Sequence, residues 1–250
     1  MKSQPSLNSS GKAIVIIPAR GGSKRFPRKN IAMLAGKPLI YYSITAALES
    51  TYIDSVYVST EDDEIAQTAI DCGAQVPFLR PVEMAGDNIP ADIAVSDHVR
   101  RLQSEYDMDI DIIVLIQPTS PFVTSEHIDA AVKLLRRDSE LESVTTMAEL
   151  DHRHHPYNLS FKGEDDRWNF IFEEERKVAK ARQEKPIAMK FGNLFAARTK
   201  TMLEKGRFGD IKGAIMIDSI YSWDIDHEWE LDIAENLIDT GKVNLPHIKT

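Results

Sequence analysis

The chain has 250 residues, 42% of them hydrophobic, and its 30 basic and 39 acidic side chains leave a net charge of −9. That composition excludes wholesale disorder and suits one large α/β domain, while the acidic balance excludes nucleic-acid binding through general charge attraction. Cys72, the one cysteine, has no intramolecular disulfide partner, and the longest apolar runs fall far short of the about 20 residues that span a bilayer. Together with an N-terminus that lacks an apolar signal-peptide core, these features point to a soluble, cytoplasmic protein.

Residues 1–12 (MKSQPSLNSSGK) read as a disordered polar tail ahead of a single domain over 13–250. Residues 13–17 (AIVII) have the continuous apolar character of a strand buried on both faces. Pro38 marks the start of a helix that runs to about Glu49. Residues 53–59 read as a second strand, and Thr60 as the cap of a helix whose first turn carries Glu61, Asp62 and Asp63. Gly73 ends that helix, and residues 75–79 resume as strand.

The alternation continues with a helix over 91–105 and a strongly apolar strand over 110–116. Thr124 caps a helix in which Ile128, Ala131, Val132 and Leu135 share one face. A strand is expected over 143–147. Residues 152–182, polar and aromatic, break the rhythm and read as an insertion, either a substrate lid or a dimerisation arm. Strand character returns over 187–196, and a last strand–helix pair is expected at 221–225 and 228–239. Such an order predicts an α/β fold with a doubly wound, mainly parallel sheet.

Ligands of open α/β sheets bind beyond the carboxyl ends of the strands. Directly after the first strand stands Pro18-Ala19-Arg20-Gly21-Gly22-Ser23-Lys24-Arg25-Phe26-Pro27-Arg28-Lys29-Asn30. Five cations, two glycines that let the backbone approach an anion, and the Ser23 hydroxyl suit a polyphosphate. The spacing matches neither G-x-x-x-x-G-K-[ST] nor G-x-G-x-x-G, which disfavours a P-loop ATPase and an NAD dehydrogenase. A solvated basic turn is the bland alternative.

Asp224 and Asp226, two apart, project their carboxylates to one face, an arrangement suited to Mg²⁺ beside a triphosphate. The competing role for Asp226 is capping of the following helix. Gln117 and Thr119 lie just past the most apolar strand, on a turn whose alternative is purely structural. His152, His154 and His155 match no zinc spacing, and Phe161, Trp168, Phe170 and Phe172 read as packing at an arm or subunit contact.

The run 18–30 closely resembles the signature of the acylneuraminate cytidylyltransferase family. The resemblance continues through residues 31–40 (IAMLAGKPLI), Val58-Ser59-Thr60, residues 79–87 (LRPVEMAGD), Gln117-Pro118-Thr119-Ser120-Pro121, Arg182-Gln183 and Asp224-Ile225-Asp226. It implies a nucleotidyltransferase fold, a homodimer, and coupling of CTP to a sialic-acid-like 2-keto-3-deoxy nonulosonic acid. By the same resemblance Arg20, Gly21, Gly22, Ser23, Lys24, Lys29, Asn30, Arg80 and Asp87 hold the nucleotide. Gln117, Thr119, Arg182, Gln183 and Lys190 hold the sugar, and Asp224 and Asp226 the metal. Catalysis falls to Arg20, Lys24, Lys29, Asp224 and Asp226. Tyr157-Asn158 and Gly192-Asn193 depart from the family's pattern and are expected in the sugar pocket. The sugar's identity therefore stays open among neuraminic, legionaminic, pseudaminic and deaminated forms. A pyrophosphorylase acting on a sugar 1-phosphate and a non-catalytic nucleotide-binding protein are the alternatives.

Overall fold

The computed structural model describes residues 11–23, 25–86, 89–179, 181–246 and 248; most of the expected N-terminal tail lies outside them. In chain order the strands are β1 (Lys12–Pro18), β2 (Met33–Leu34), β3 (Lys37–Pro38), β4 (Ser55–Ser59), β5 (Ile110–Leu115), β6 (Ser143–Glu149), β7 (Ser160–Lys162), β8 (Trp168–Phe170), β9 (Met189–Arg198) and β10 (Lys212–Met216). The helices are α1 (Leu39–Leu48), α2 (Asp63–Asp71), α3 (Ala91–Tyr106), α4 (Ser125–Arg137), α5 (Glu173–Val178), α6 (Thr199–Lys205) and α7 (Trp229–Asp239). Lys12, expected in the tail, opens β1.

The main sheet among the described residues has the order β10-β6-β9-β5-β1-β4. β4, β1 and β5 are parallel, as are β6 and β10, while β9 runs antiparallel to both neighbours. This is the mainly parallel sheet expected, with one reversed strand. The alternation of β1 assigns its side chains to two layers. Ala13, Val15 and Ile17 pack under α1, α2 and α4 with Ile44, Ile65 and Ile128. Ile14 and Ile16 pack on the opposite face with Val95, Val99 and Met202 of α3 and α6. Burial on both faces explains why β1 beyond Lys12 reads as a continuous apolar run and why β5 is apolar but for the half-buried Asp111.

A third cluster gathers Phe26, Leu39, Tyr42, Phe122, Ile225 and Ala234. It joins the loop after β1 to the start of α1, the turn before α4 and the C-terminal helix α7. The carboxyl ends of β1 and β5 are thereby bound to the segment that carries the paired aspartates.

Several expectations needed correction. Thr60 does not cap α2: its hydroxyl accepts from the Asp62 N–H, and Asp62 is the cap, accepting from the Ile65 N–H at 3.0 Å. Residues 75–79 form no strand; Gln75 alone bridges Tyr57, because Pro77 and Pro81 cannot donate to a ladder. Residues 221–225 are also not a strand. A 3-10 turn at Ser219–Ser222 leads into a segment whose Ile225 N–H bonds to the Thr119 carbonyl at 2.9 Å. The 152–182 insertion consists of short 3-10 turns, the β7–β8 hairpin and α5. Thr124 does cap α4, in a reciprocal pair with His127.

His98 on α3 is 1% exposed and packs against Phe78 and Tyr57, its Nε2 without a hydrogen-bond partner among the described residues. Burial, aided by the charges of Arg101 and Arg80, pushes its pKa down to about 3 from 6.5. Burial likewise lowers His127 to about 4. Both imidazoles are thus neutral in the folded chain and take up protons more readily once it unfolds. Their contribution to stability is complete above pH 6.5 and is lost as pH falls below it. Urea denaturation from pH 7 to pH 4 is expected to show falling stability, with a shallower slope in His98→Phe; an unchanged slope would refute the burial effect.

Candidate active site

The loop after β1 and the turn after β4 lie side by side because their strands are parallel neighbours. Ala19 extends that pairing, its N–H bonding to the Ser59 carbonyl at 2.9 Å. Beyond it the basic loop meets an acidic turn. Glu61 accepts from the Gly21 N–H through Oε1 at 2.7 Å and from Arg80 Nη2 through Oε2 at 2.6 Å. Arg28, in the left-handed region at φ 59°, pairs with Asp62 and Glu64. The pairing raises the Arg28 pKa, and the Arg28 hydrogen bond is the largest influence lowering Asp62.

These contacts revise the expectation that glycine N–H groups and five cations all face an anion. The Gly21 N–H and the Arg28 guanidinium are committed to protein carboxylates. Gly21 is required by close approach, since a Cβ there would sit 2.5 Å from Asp62 Oδ2. At Gly22 a Cβ would meet nothing within 4 Å. Asn30, buried, donates through Nδ2 to the Arg20 carbonyl at 2.8 Å, so its amide shapes the loop from within.

A cavity of about 240 Å³ opens at the carboxyl ends of β1 and β5. Arg20, Ser23, Lys29 and Asn30 form one wall, Arg80 and residues 84–86 another, and Gln117 and Thr119 a third. The cavity therefore brings together five of the expected nucleotide residues, Arg20, Ser23, Lys29, Asn30 and Arg80, and two of the expected sugar residues, while Gly21 and Gly22 do not line it. Lys24 and Asp87 lie outside the described residues.

Ile225, fully buried, anchors the segment that carries the two aspartates. Lys29 Nζ reaches Asp226 Oδ1 at 2.9 Å. That hydrogen bond is the main cause of the lowered Asp226 pKa, helped by the charges of Lys29, Arg25 and His227. Asp224 shifts the other way. It is open to solvent, yet enough protein surrounds it that desolvation raises its pKa; the Asp226 and Glu230 charges add to this, and a Thr119 hydrogen bond and Lys29 oppose it. Asp226 does not cap α7, because Glu230 accepts from the Asp226 and His227 N–H groups.

The fold and this geometry coincide with what known proteins show. A family model described as "Cytidylyltransferase" matches residues 14–236. The chain belongs to the cytidylyltransferase family. It is a nucleotidyltransferase by that membership, similar to curated proteins of this class. The CMP-N,N'-diacetyllegionaminic acid synthase of Legionella pneumophila is 33% identical over 237 residues, 92% of this chain and 98% of that protein. The pseudaminic acid cytidylyltransferase of Campylobacter jejuni is 31% identical over 195 residues, 78% and 82% of the two chains. In fold, the CMP:2-keto-3-deoxy-manno-octonic acid synthetase complexed with CTP matches at a TM-score of 0.70 and 16% identity, covering 92% of this chain and 100% of that one.

The remaining expected sugar residues fall elsewhere. Arg182, Gln183 and Lys190 line a second, open cavity of about 1060 Å³, with His152, His154 and Trp223. His155 beside it is a structural residue: Nε2 lies 2.9 Å from the Pro186 carbonyl and Nδ1 accepts from the Tyr157 N–H. Among the described residues no group of three or more His, Cys, Asp or Glu could hold a metal. Trp168 and Phe170 pack edge to face within the β7–β8 hairpin, and Phe208 stacks on Phe191.

The two departures from the family pattern are not open pocket residues. Asn193 is 2% exposed and bonds to Thr146, the Tyr221 carbonyl and His127. Asn158 accepts from Arg176 and Lys185 and so ties the arm together. Conversely, the sequence placed Glu61 only in the first turn of a helix and not at the site, whereas α2 begins at Asp63 and Glu61 precedes its cap. The one signal was the acidic run that follows the second strand, facing a basic loop after the first.

Gly21→Ala is expected to destabilise the chain by about 1–3 kcal/mol, the scale of overpacking, whereas Gly22→Ala is expected to stay within about 0.5 kcal/mol. Guanidinium denaturation of both variants reads the contrast, and equal stabilities would contradict the close packing of Gly21 on Asp62.

Proposed function

We propose that the chain couples CTP to a sialic-acid-like nonulosonic acid, releasing pyrophosphate and forming the CMP-sugar. The observation that carries this is the convergence of Arg20, Ser23, Lys29 and Asn30 with Gln117 and Thr119 around one cavity, beside Asp224 and Asp226. Support comes from relatives whose names are those of legionaminic and pseudaminic acid enzymes, each matched over most of its length.

In this reaction the anomeric hydroxyl of the sugar attacks the α-phosphorus, the new O–P bond forms in line with the departing oxygen, and pyrophosphate leaves. Arg20 and Lys29 offset charge on the triphosphate, and Lys24 belongs to the same loop. Ser23 and Asn30 orient the phosphates and the loop backbone, Gly22 leaves open space at the loop's tip, and Arg80 and Asp87 address the base and ribose. Gln117 can both donate to and accept from a polyhydroxy acid, and Thr119 lies next to it.

Asp224 and Asp226 are hard oxygen donors, and Lys29 keeps Asp226 ionised. They fit Mg²⁺, for which the substrate's own phosphate oxygens supply further ligands. When bound, such an ion neutralises phosphate charge. Arg182 and Gln183 from the end of the arm and Lys190 from β9 then serve the sugar's carboxylate and hydroxyls, with Arg182 able to bind a carboxylate through two parallel hydrogen bonds. Their separation from the nucleotide cavity supports a homodimer in which the arm of one copy completes the sugar site of the other. The lone Cys72 and the use of CTP suit the cytoplasm.

Pyrophosphate release is expected from CTP and Mg²⁺ with one member of a panel of nonulosonic acids, and not with glucosamine 1-phosphate. Release only with a sugar 1-phosphate would reassign the nucleophile, and CTP binding without release from any of them would favour a non-catalytic module. Asp224→Asn is expected to lower turnover by about 100-fold or more, the scale of losing one group that stabilises transition-state charge. Its circular dichroism should match the parent, and full activity in that variant would sink the metal assignment.

A further inference from the structure

We infer that Glu61 is a positioning residue for the nucleotide cavity, holding Arg80 and the glycine turn of the basic loop in one geometry through a single carboxylate. The inference rests on the CTP reading above and adds to it a residue that touches no substrate. The Glu61 side chain is 13% exposed and that of Arg80 5%. Oε1 receives the Gly21 N–H and Oε2 the Arg80 guanidinium, so one carboxylate ties the turn of the basic loop to Arg80, which lines the cavity.

The two partners lie 40 and 19 residues from Glu61 in the chain. The main chain reinforces the second of them, since the Arg80 N–H bonds to the Thr60 carbonyl at 2.8 Å. Neighbouring Asp62 cannot substitute, because its oxygens already accept from Ile65 and Arg28. Only an ionised carboxylate offers two acceptor oxygens and no donor. A glutamine in its place turns an NH₂ group toward one of two N–H donors, and one contact must break.

Charge gives the pair a second consequence. A buried guanidinium needs a countercharge, and Glu61 supplies it. Arg80 so neutralised contributes directional N–H groups more than positive potential. Its buried Nε has no partner among the described residues. A guanidinium so neutralised suits the uncharged base or ribose, while Arg20 and Lys29, which line the same cavity, suit the phosphates. Glu61 thereby gives Arg80 a hydrogen-bonding role distinct from the cationic one of Arg20 and Lys29.

The test is CTP binding by titration calorimetry together with steady-state kinetics on the full chain. Glu61→Gln is expected to raise the dissociation constant and the KM for CTP by about tenfold or more, the scale of one lost charge-assisted hydrogen bond. Its kcat should stay within about threefold, because an interaction made equally in ground and transition states acts on binding alone. Glu61→Asp, which keeps two acceptors but is one methylene shorter, should recover part of the affinity and serves as the readout if the glutamine variant does not fold. In an Arg80→Met background Glu61→Gln should add little further loss, since the two act as a unit. Unchanged CTP affinity in a folded Glu61 variant, or full additivity with Arg80→Met, overturns the inference. A parent protein that binds no CTP would instead overturn the reading on which it rests.

Discussion

The site depends on a charge arrangement between two loops that the parallel sheet forces together. The loop after β1 is crowded with cations, and two unit charges 4 Å apart repel by about 4 kcal/mol at an effective dielectric of 20. The acidic turn after β4 answers that repulsion. Asp62 and Glu64 engage Arg28, while Glu61 engages Arg80 and the loop backbone. The protein's own carboxylates thus hold Gly21 and Arg28 of this loop, and fixed charges of that kind are the condition for electrostatic stabilisation without reorganisation at the moment of reaction. The close fit of Gly21 on Asp62 is the steric counterpart of that arrangement.

A hydrophobic anchor places the other half of the site. Ile225 is fully buried against Phe122 and Ala234, while Asp224 and Asp226 on either side of it are exposed. Alternation along an extended segment therefore converts one core contact into two carboxylates on a common face. The environments of the pair then diverge: a lysine from the basic loop lowers Asp226, and desolvation raises Asp224. Lys29 is the bridge between the loop and this segment, so the N-terminal and C-terminal parts of the chain meet at one ion pair.

The sequence made legible whatever was local. β1, β5 and α4 announced themselves through strongly apolar runs, a 3.6-residue stripe and a threonine cap, and all three are present. The reversed direction of β9 was not legible, because strand polarity is decided by the partner and not by the strand's own residues. Residues 75–79 and 221–225 had strand-like composition but found no ladder, the first interrupted by prolines and the second held by a carbonyl of a turn. The basic loop was visible as a contiguous motif. Its counterions were not: Asp62 is 34 residues from Arg28 and Asp226 is 197 from Lys29, and only the fold brings them into register.

The two cavities differ in the kind of structure that supports them. The smaller is built at the ends of buried parallel strands and fixed by ion pairs and a carbonyl contact between distant segments. The larger is lined by exposed Arg182 and Gln183 at the end of the arm and by exposed Lys190 of β9, and the arm's hydrogen bonds are mostly internal, such as Arg176 and Lys185 to Asn158. A rigid sheet end can hold a triphosphate in one geometry, as in-line displacement demands. An arm secured chiefly to itself can change its lining residues without disturbing the sheet. Asn193, first suspected of tuning the sugar, instead sits in the buried junction between β6, β9 and α4, where a change would unsettle the fold before it altered a substrate. On the proposed reading, discrimination among nonulosonic acids belongs to the exposed side chains of the larger cavity, and the nucleotide half of the site can remain constant beneath them.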